Sequence, residues 1–148
     1  MHGRPLLVLS LTGALLSAGC ASAVKVTPFE GADSGVCREV AAAWPATVAG
    51  QEPRDVAVES DTVAAWGDPA IIARCGAPLL GPTTQDCLDA EGIDWIVEPL
   101  DDGVRFTTYG RDPAIEVLVP QAYAPEPLLL GAFAVTAGTV EQGSNRCS

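Results

Sequence analysis

Histidine is almost missing from this chain: of its 148 residues only His2 is one, and it stands among the first few positions. The rest of the sequence therefore has no imidazole for Ser-His-Asp or Cys-His catalysis, for a histidine metal site, or for proton shuttling near neutral pH. Lysine is nearly as scarce. Lys25 is the only one and precedes the part that patterns as a folded domain, so a buried Schiff-base or general-base amine is missing too. Eight basic residues stand against nineteen acidic ones, for a formal net charge of −11. Such a surface repels phosphate polymers, which excludes nucleic acid as an expected partner and otherwise serves solubility. There is no glycine-rich phosphate loop and no acidic loop of EF-hand spacing. Asp101-Asp102-Gly103 reads as an acidic hairpin turn rather than a calcium site. Aromatic residues are few, at 5%, and Trp44, Trp66 and Trp95 read as core or core-edge residues rather than as a sugar-stacking platform.

Long apolar runs are also lacking, with one informative exception. His2 and Arg4 form a weakly basic leader before an aliphatic stretch at 6–16 that a helix would extend only about 16 Å, too short to span a bilayer unaided. It closes on Leu16-Ser17-Ala18-Gly19-Cys20, a lipobox in which small residues admit a signal peptidase and the cysteine thiol accepts a diacylglyceryl group. Ordinary secretion, with cleavage after Ala21 or Ala23, is the competing reading. Residues 1–19 are thus expected to be a lipoprotein signal peptide and Cys20 the lipid attachment site, carrying palmitate-type chains. Residues 20–33 are expected to be a flexible tether reaching at most ~45 Å, and residues 34–148 a single globular domain. The expected location is the extracytoplasmic face of the cell membrane, with the lipid as the membrane partner.

Beyond Cys20 the cysteines are Cys37, Cys75, Cys87 and Cys147, an even number that reads as two disulfides in an exported protein. Four cysteines allow three pairings. The favoured one joins Cys75 to Cys87 across a Gly/Pro/Thr-rich loop and Cys37 to Cys147 across the two ends of the domain. None of the four sits in a CxxC pair, so no metal and no cofactor is expected.

Ser34 can cap a helix carrying Val36, Val40 and Ala43 on one stripe, ended by Pro45. Short segments at 56–60 and 63–66 are candidate strands, and 70–75 is a firmer one between turn sequences. Segments 93–98 and 104–109 flank Leu100-Asp101-Asp102-Gly103 as a hairpin, and 115–119 follows as a further strand. Alternation places Ile93, Trp95, Val97, Val104, Phe106, Ile115, Val117 and Val119 on a core face. Asp94, Glu98, Arg105, Thr107, Tyr109 and Glu116 then share a wet face with Ile96 and Leu118. A closing helix from Pro127, with Leu128, Leu129, Ala132, Val135, Thr136 and Val140 at helical spacing, would cover the core face. The expected fold is α+β: a two-layer sandwich of about four antiparallel strands with N- and C-terminal helices packed on one face.

Several spaced segments resemble an actinobacterial lipoprotein family known only as a domain of unknown function, DUF3515. They are Trp66-Gly67-Asp68-Pro69-Ala70-Ile71-Ile72-Ala73-Arg74-Cys75-Gly76, Gly92-Ile93-Asp94-Trp95, Phe106-Thr107-Thr108-Tyr109-Gly110-Arg111, Val119-Pro120 and Arg146-Cys147. The resemblance implies a lipid-anchored envelope domain and assigns no catalytic residue.

Carboxylate, hydroxyl and guanidinium chemistry survives these exclusions. Arg74, Tyr109 and Arg111, each at or just after a strand end, are candidates for holding an anionic or ring-bearing ligand. Glu98, Glu116 and Asp94 are candidates for glycoside hydrolysis, and Glu98, Arg105 and Glu116 read equally as cross-strand ion pairs. The expected function is that of a membrane-anchored envelope lipoprotein, a non-catalytic binding or accessory domain for an envelope protein or small ligand. The alternative is a carboxylate-dependent hydrolase of an envelope glycan.

Overall fold

The computed structural model describes residues 22–148, so the leader and Cys20 lie outside the described residues. The first helix forms where the cap residue indicates. The Ser34 hydroxyl accepts from the Cys37 amide (3.1 Å), and α1 runs Gly35–Ala42 with Cys37 and Val40 buried.

The rest is mostly β-structure, and it corrects the expected four-stranded α+β sandwich. Seven strands form one sheet: β1 Pro53–Arg54, β2 Val63–Trp66, β3 Ile71–Ala77, β4 Cys87–Ala90, β5 Ile93–Leu100, β6 Gly103–Thr108 and β7 Ala114–Pro120. Their order is β1-β2-β3-β7-β6-β5-β4, antiparallel throughout. Two meanders, β1–β3 and β4–β7, are thus joined edge to edge by β3 and β7. The strands missing from the expectation are short: β1 has two residues and β4 four, too few to show alternation. As short edge strands they also protect the sheet against pairing with another chain. Segment 56–60, expected as a strand, is none; only Val56 pairs, in an isolated parallel bridge to Val24.

The register brings Ala73, Val117 and Phe106 into line across β3, β7 and β6, with Val97 next on β5. This face packs under Cys37, Val40, Leu130, Phe133, Ala137 and Val140. Trp66 meets Trp44 and Phe133 edge to face at centroid distances of 6.4 and 5.6 Å. The expected long C-terminal helix is replaced by a 3-10 segment, Glu126–Phe133, and a short helix α2, Ala134–Gly138. Its inward stripe matches the expected one only in part. Leu129, Thr136 and Val140 are buried as expected, joined by Leu130, Phe133 and Ala137, whereas Ala132 is exposed and Leu128 and Val135 are 78% and 79% exposed.

The second sheet face is not uniformly wet. Residues 22–29, expected as a free tether, lie against the domain. Val24 exchanges backbone hydrogen bonds with Asp55 and Ala57 (2.8 Å each), and Thr27 and Phe29 lie beside Arg74. The strap then passes around β3 where two glycines meet. A Cβ on Gly31 would stand 2.7 Å from the Gly76 carbonyl oxygen, and one on Gly76 (φ +111°) 2.5 Å from the Ala32 nitrogen. The C-terminal tail folds back in the same way: Gly143 donates to the Gly110 carbonyl and Gln142 bridges to Arg111.

The disulfides are Cys37–Cys75 and Cys87–Cys147, not the favoured pairing. Cys75 lies four strands from Cys87 in the sheet, about 19 Å at ~4.8 Å per strand, far beyond the ~7 Å reach of a cystine. Cys75 also shares the core face with Ile115, while Cys87 is opposite Ile96 on the second face.

Candidate ligand groove

The three residues proposed as a ligand group do not assemble. Arg74 projects from β3 onto the second face, where its Nε and Nη2 donate to Glu116 Oε1 (3.0 and 2.5 Å). Its Nη1 donates to the Thr27 carbonyl (2.8 Å), and its guanidinium carbon stands 4.0 Å over the Phe29 ring. All three guanidinium nitrogens of this side chain donate to its own chain. Tyr109 and Arg111 lie at the other end of the sheet beneath the C-terminal tail, both more than nine-tenths buried. Gln142 donates to the Tyr109 carbonyl (3.1 Å), and Arg111 donates to the Val140 carbonyl. Burial, and secondarily the charge of Arg146, lower the Arg111 pKa from its ordinary value against the opposing pull of Asp94. Its Nε has no partner among the described residues. Tyr109 and Arg146 line a hollow of ≈ 480 Å³ with Thr83, Thr84 and Gln85, but Arg111 is not part of its wall.

The carboxylates proposed for hydrolysis are engaged as well. Glu98 receives Arg105 Nη1 at 3.0 Å on both oxygens, and Glu116 Oε2 lies 3.4 Å from Arg105 Nε. An alternating ladder of Arg74, Glu116, Arg105 and Glu98 thus crosses β3, β7, β6 and β5. Asp94 is 8% exposed and accepts from the Cys147 amide (3.2 Å). None of the three faces an open cleft as a free acid.

A groove that sequence patterning missed lies elsewhere, between α1 and the 55–61 segment. It holds ≈ 940 Å³ and is open to solvent. Ala41, Ala42, Val56, Val58 and Val63 make its apolar wall, with Arg38, Trp44, Glu59 and Asp61 as polar or aromatic groups. Trp44 is fixed by its indole N–H donating to the Asp61 carbonyl (2.9 Å), so the ring braces the loop against the helix. Arg38 donates to the Asp33 carbonyl (2.7 Å) and makes no ion pair among the described residues. A hollow of ≈ 380 Å³ lined by Pro28, Phe29 and Asp33 shares Arg38 and residues 58–61, so the concavity continues toward the strap. The available signal was the alternation of Val56, Ala57, Val58 and Glu59. It is real in burial, but it belongs to a groove wall and not to a paired strand.

This arrangement supports recognition chemistry: an apolar floor, an indole, one guanidinium fork and exposed carboxylates. The Ser60 hydroxyl is engaged with that of Thr62 (2.8 Å). Among the described residues no cluster of three His, Cys, Asp or Glu side chains is placed to hold a metal ion.

A family model described as "Protein of unknown function (DUF3515)" matches residues 5–142. The chain belongs to this family. The match runs from the apolar stretch at 6–16 through the sheet to the end of the C-terminal helical region, so both the groove and the charged ladder lie within the shared part. No curated protein and no solved structure matched the chain.

Proposed function

We propose that this DUF3515 member is an extracytoplasmic lipoprotein, held to the cell membrane by acylated Cys20, whose domain binds a partner and catalyses no reaction. The observation that carries this reading is the fate of sulfur. Cys37, Cys75, Cys87 and Cys147 are all consumed in two disulfides, so Cys20 is the one cysteine outside those pairs. Cystine-bonded small domains belong to oxidising compartments, and a thiol behind a short apolar leader is an acylation signal. The family match supports it further, because it begins at residue 5 and takes in the apolar stretch at 6–16 and Cys20. Among the described residues no helix is long and apolar enough to cross a membrane.

The ligand suited to the groove is an extended segment of a partner protein. The groove is open to solvent, and its apolar side chains are bordered by Arg38, Glu59 and Asp61, which also line the adjoining hollow together. An extended peptide offers alternating side chains and charges to such a surface.

Mass spectrometry of the N-terminal peptide from isolated membranes tests the anchor: diacylglyceryl on an N-terminal Cys20 is expected, and a chain that retains residues 1–19 in the soluble fraction overturns it. A photoreactive residue at Glu59 tests the groove in intact cells. A discrete crosslinked protein that disappears in the Trp44→Ala, Arg38→Ala variant is expected. A crosslink that persists in that variant, or none at all, refutes the groove as the binding surface.

A further inference from the structure

The strap fixes which end of the domain faces the lipid. We infer that the end of the sheet formed by the 67–70, 100–103 and 120–123 turns is apposed to the phospholipid headgroups, while the end bearing Arg111 and the C-terminal tail points away. This rests on acylation of Cys20 and adds the orientation of the domain to it.

The argument begins at Ser22, two residues after the anchor. Its carbonyl accepts from Arg54 Nη2 (2.8 Å), and Arg54 is itself held, with Nη1 donating to the Gly67 carbonyl (2.7 Å). Gly67 opens the turn between β2 and β3, so Ser22 is pinned where β2 ends and β3 begins. The register puts other turns at that same end. Ile72 near the start of β3 pairs with Leu118 near the end of β7, Gly103 pairs with Pro120, and Leu100 with Gly103. The Tyr123 hydroxyl donates to the Pro69 carbonyl (2.7 Å) and ties the following turn to them.

From Ser22 the strap runs away from this end. Val24 is held at Val56, Thr27 and Phe29 at Arg74, and Gly31 at Gly76 near the far end of β3. It has no slack to reverse. Two residues reach at most ~7 Å, so an acyl-bearing Cys20 brings the Gly67 turn to headgroup depth. β5 has eight residues, and a strand of that length extends about 26 Å. The opposite end therefore stands about that far from the lipid.

The apposed end is acidic. Asp68, Asp101 and Asp102 are exposed there, with Arg54 as the nearby cation. Like charge gives this surface no affinity of its own for anionic lipid, so proximity comes from the covalent strap alone.

The test couples the mature chain from Cys20, through that thiol, to a maleimide phospholipid in phosphatidylcholine vesicles with nitroxide-labelled headgroups. A fluorescent amino acid replaces either Gln121 at the apposed end or Glu141 beside the Arg111–Gln142 bridge at the other, both exposed positions. Severalfold stronger quenching at position 121 than at 141 is expected, and equal or reversed quenching overturns the orientation. Ten Gly/Ser residues inserted between Ala21 and Ser22, spanning about 17 Å, should abolish the difference. If the difference survives that insertion, the strap is not its cause. Because the coupling is chemical, the outcome is independent of whether cells acylate Cys20, which the N-terminal peptide mass reads separately.

Discussion

At the scale of single residues, the two glutamates of the charged ladder have the same partner type and very different surroundings. Glu116 is buried between Arg74 and Arg105, with a side chain 8% exposed, whereas Glu98 is 43% exposed at the rim. Removing one member of a buried pair leaves an uncompensated charge and costs about 3 kcal/mol; an exposed pair contributes below about 1 kcal/mol. Glu116→Ala should therefore lower unfolding free energy by about 3 kcal/mol and Glu98→Ala by less than about 1 kcal/mol, measured by urea titration at constant m-value. The Glu98 effect should fade in 1 M salt, where the screening length is ~3 Å, and the Glu116 effect should largely persist.

At the scale of elements, the C-terminal helical region illustrates how much the pattern conveyed. The chain from 127 to 140 is so apolar that two stripes, one with Leu128 and Val135 and one with Leu130 and Phe133, fit a helical period almost equally. The sequence offers no charged residue to choose between them, and its polar residues Thr136 and Thr139 fall one on a buried and one on an exposed position. The folded chain selects the second, because Phe133 has Trp66 to pack against. Phe133→Ala should cost about 4 kcal/mol through the cavity it leaves, while Val135→Ser, on a 79% exposed side chain, should stay within about 0.5 kcal/mol; thermal unfolding of the two variants side by side checks this. The β5–β6 hairpin was legible for the opposite reason. Charged residues at Asp94, Glu98 and Arg105 alternate with Ile93, Trp95, Val97, Val104 and Phe106, and one face is fixed by polarity. Strands β1 and β4 were not legible, since their pairing is decided by neighbours distant in sequence and not by their own two and four residues. The groove was legible only in its 56–59 wall, for a related reason: Arg38 and Asp61 come to line one concavity only once α1 packs on the sheet.

At the scale of the whole molecule, each disulfide secures one half. Cys37–Cys75 ties α1 to the first meander, and Cys87–Cys147 ties the tail to the edge strand of the second. Between the halves, the backbone connection is the β3–β7 ladder, reinforced by the core beneath it. Sequence separations of 38 and 60 give closely similar loop-closure entropies, so deleting either bond as a Cys→Ala pair should cost about 4 kcal/mol on the chain-entropy model. The two variants should nevertheless loosen different places. Hydrogen exchange should accelerate in α1 and along the 55–61 groove wall when Cys37–Cys75 is removed, and in β4, residues 109–111 and the tail when Cys87–Cys147 is removed. The central β3, β7 and β6 amides should stay the slowest in both, because their ladders are paired on each side. Uniform acceleration across the sheet in either variant would show instead that the meanders open as one unit and that the bonds act only on the unfolded chain.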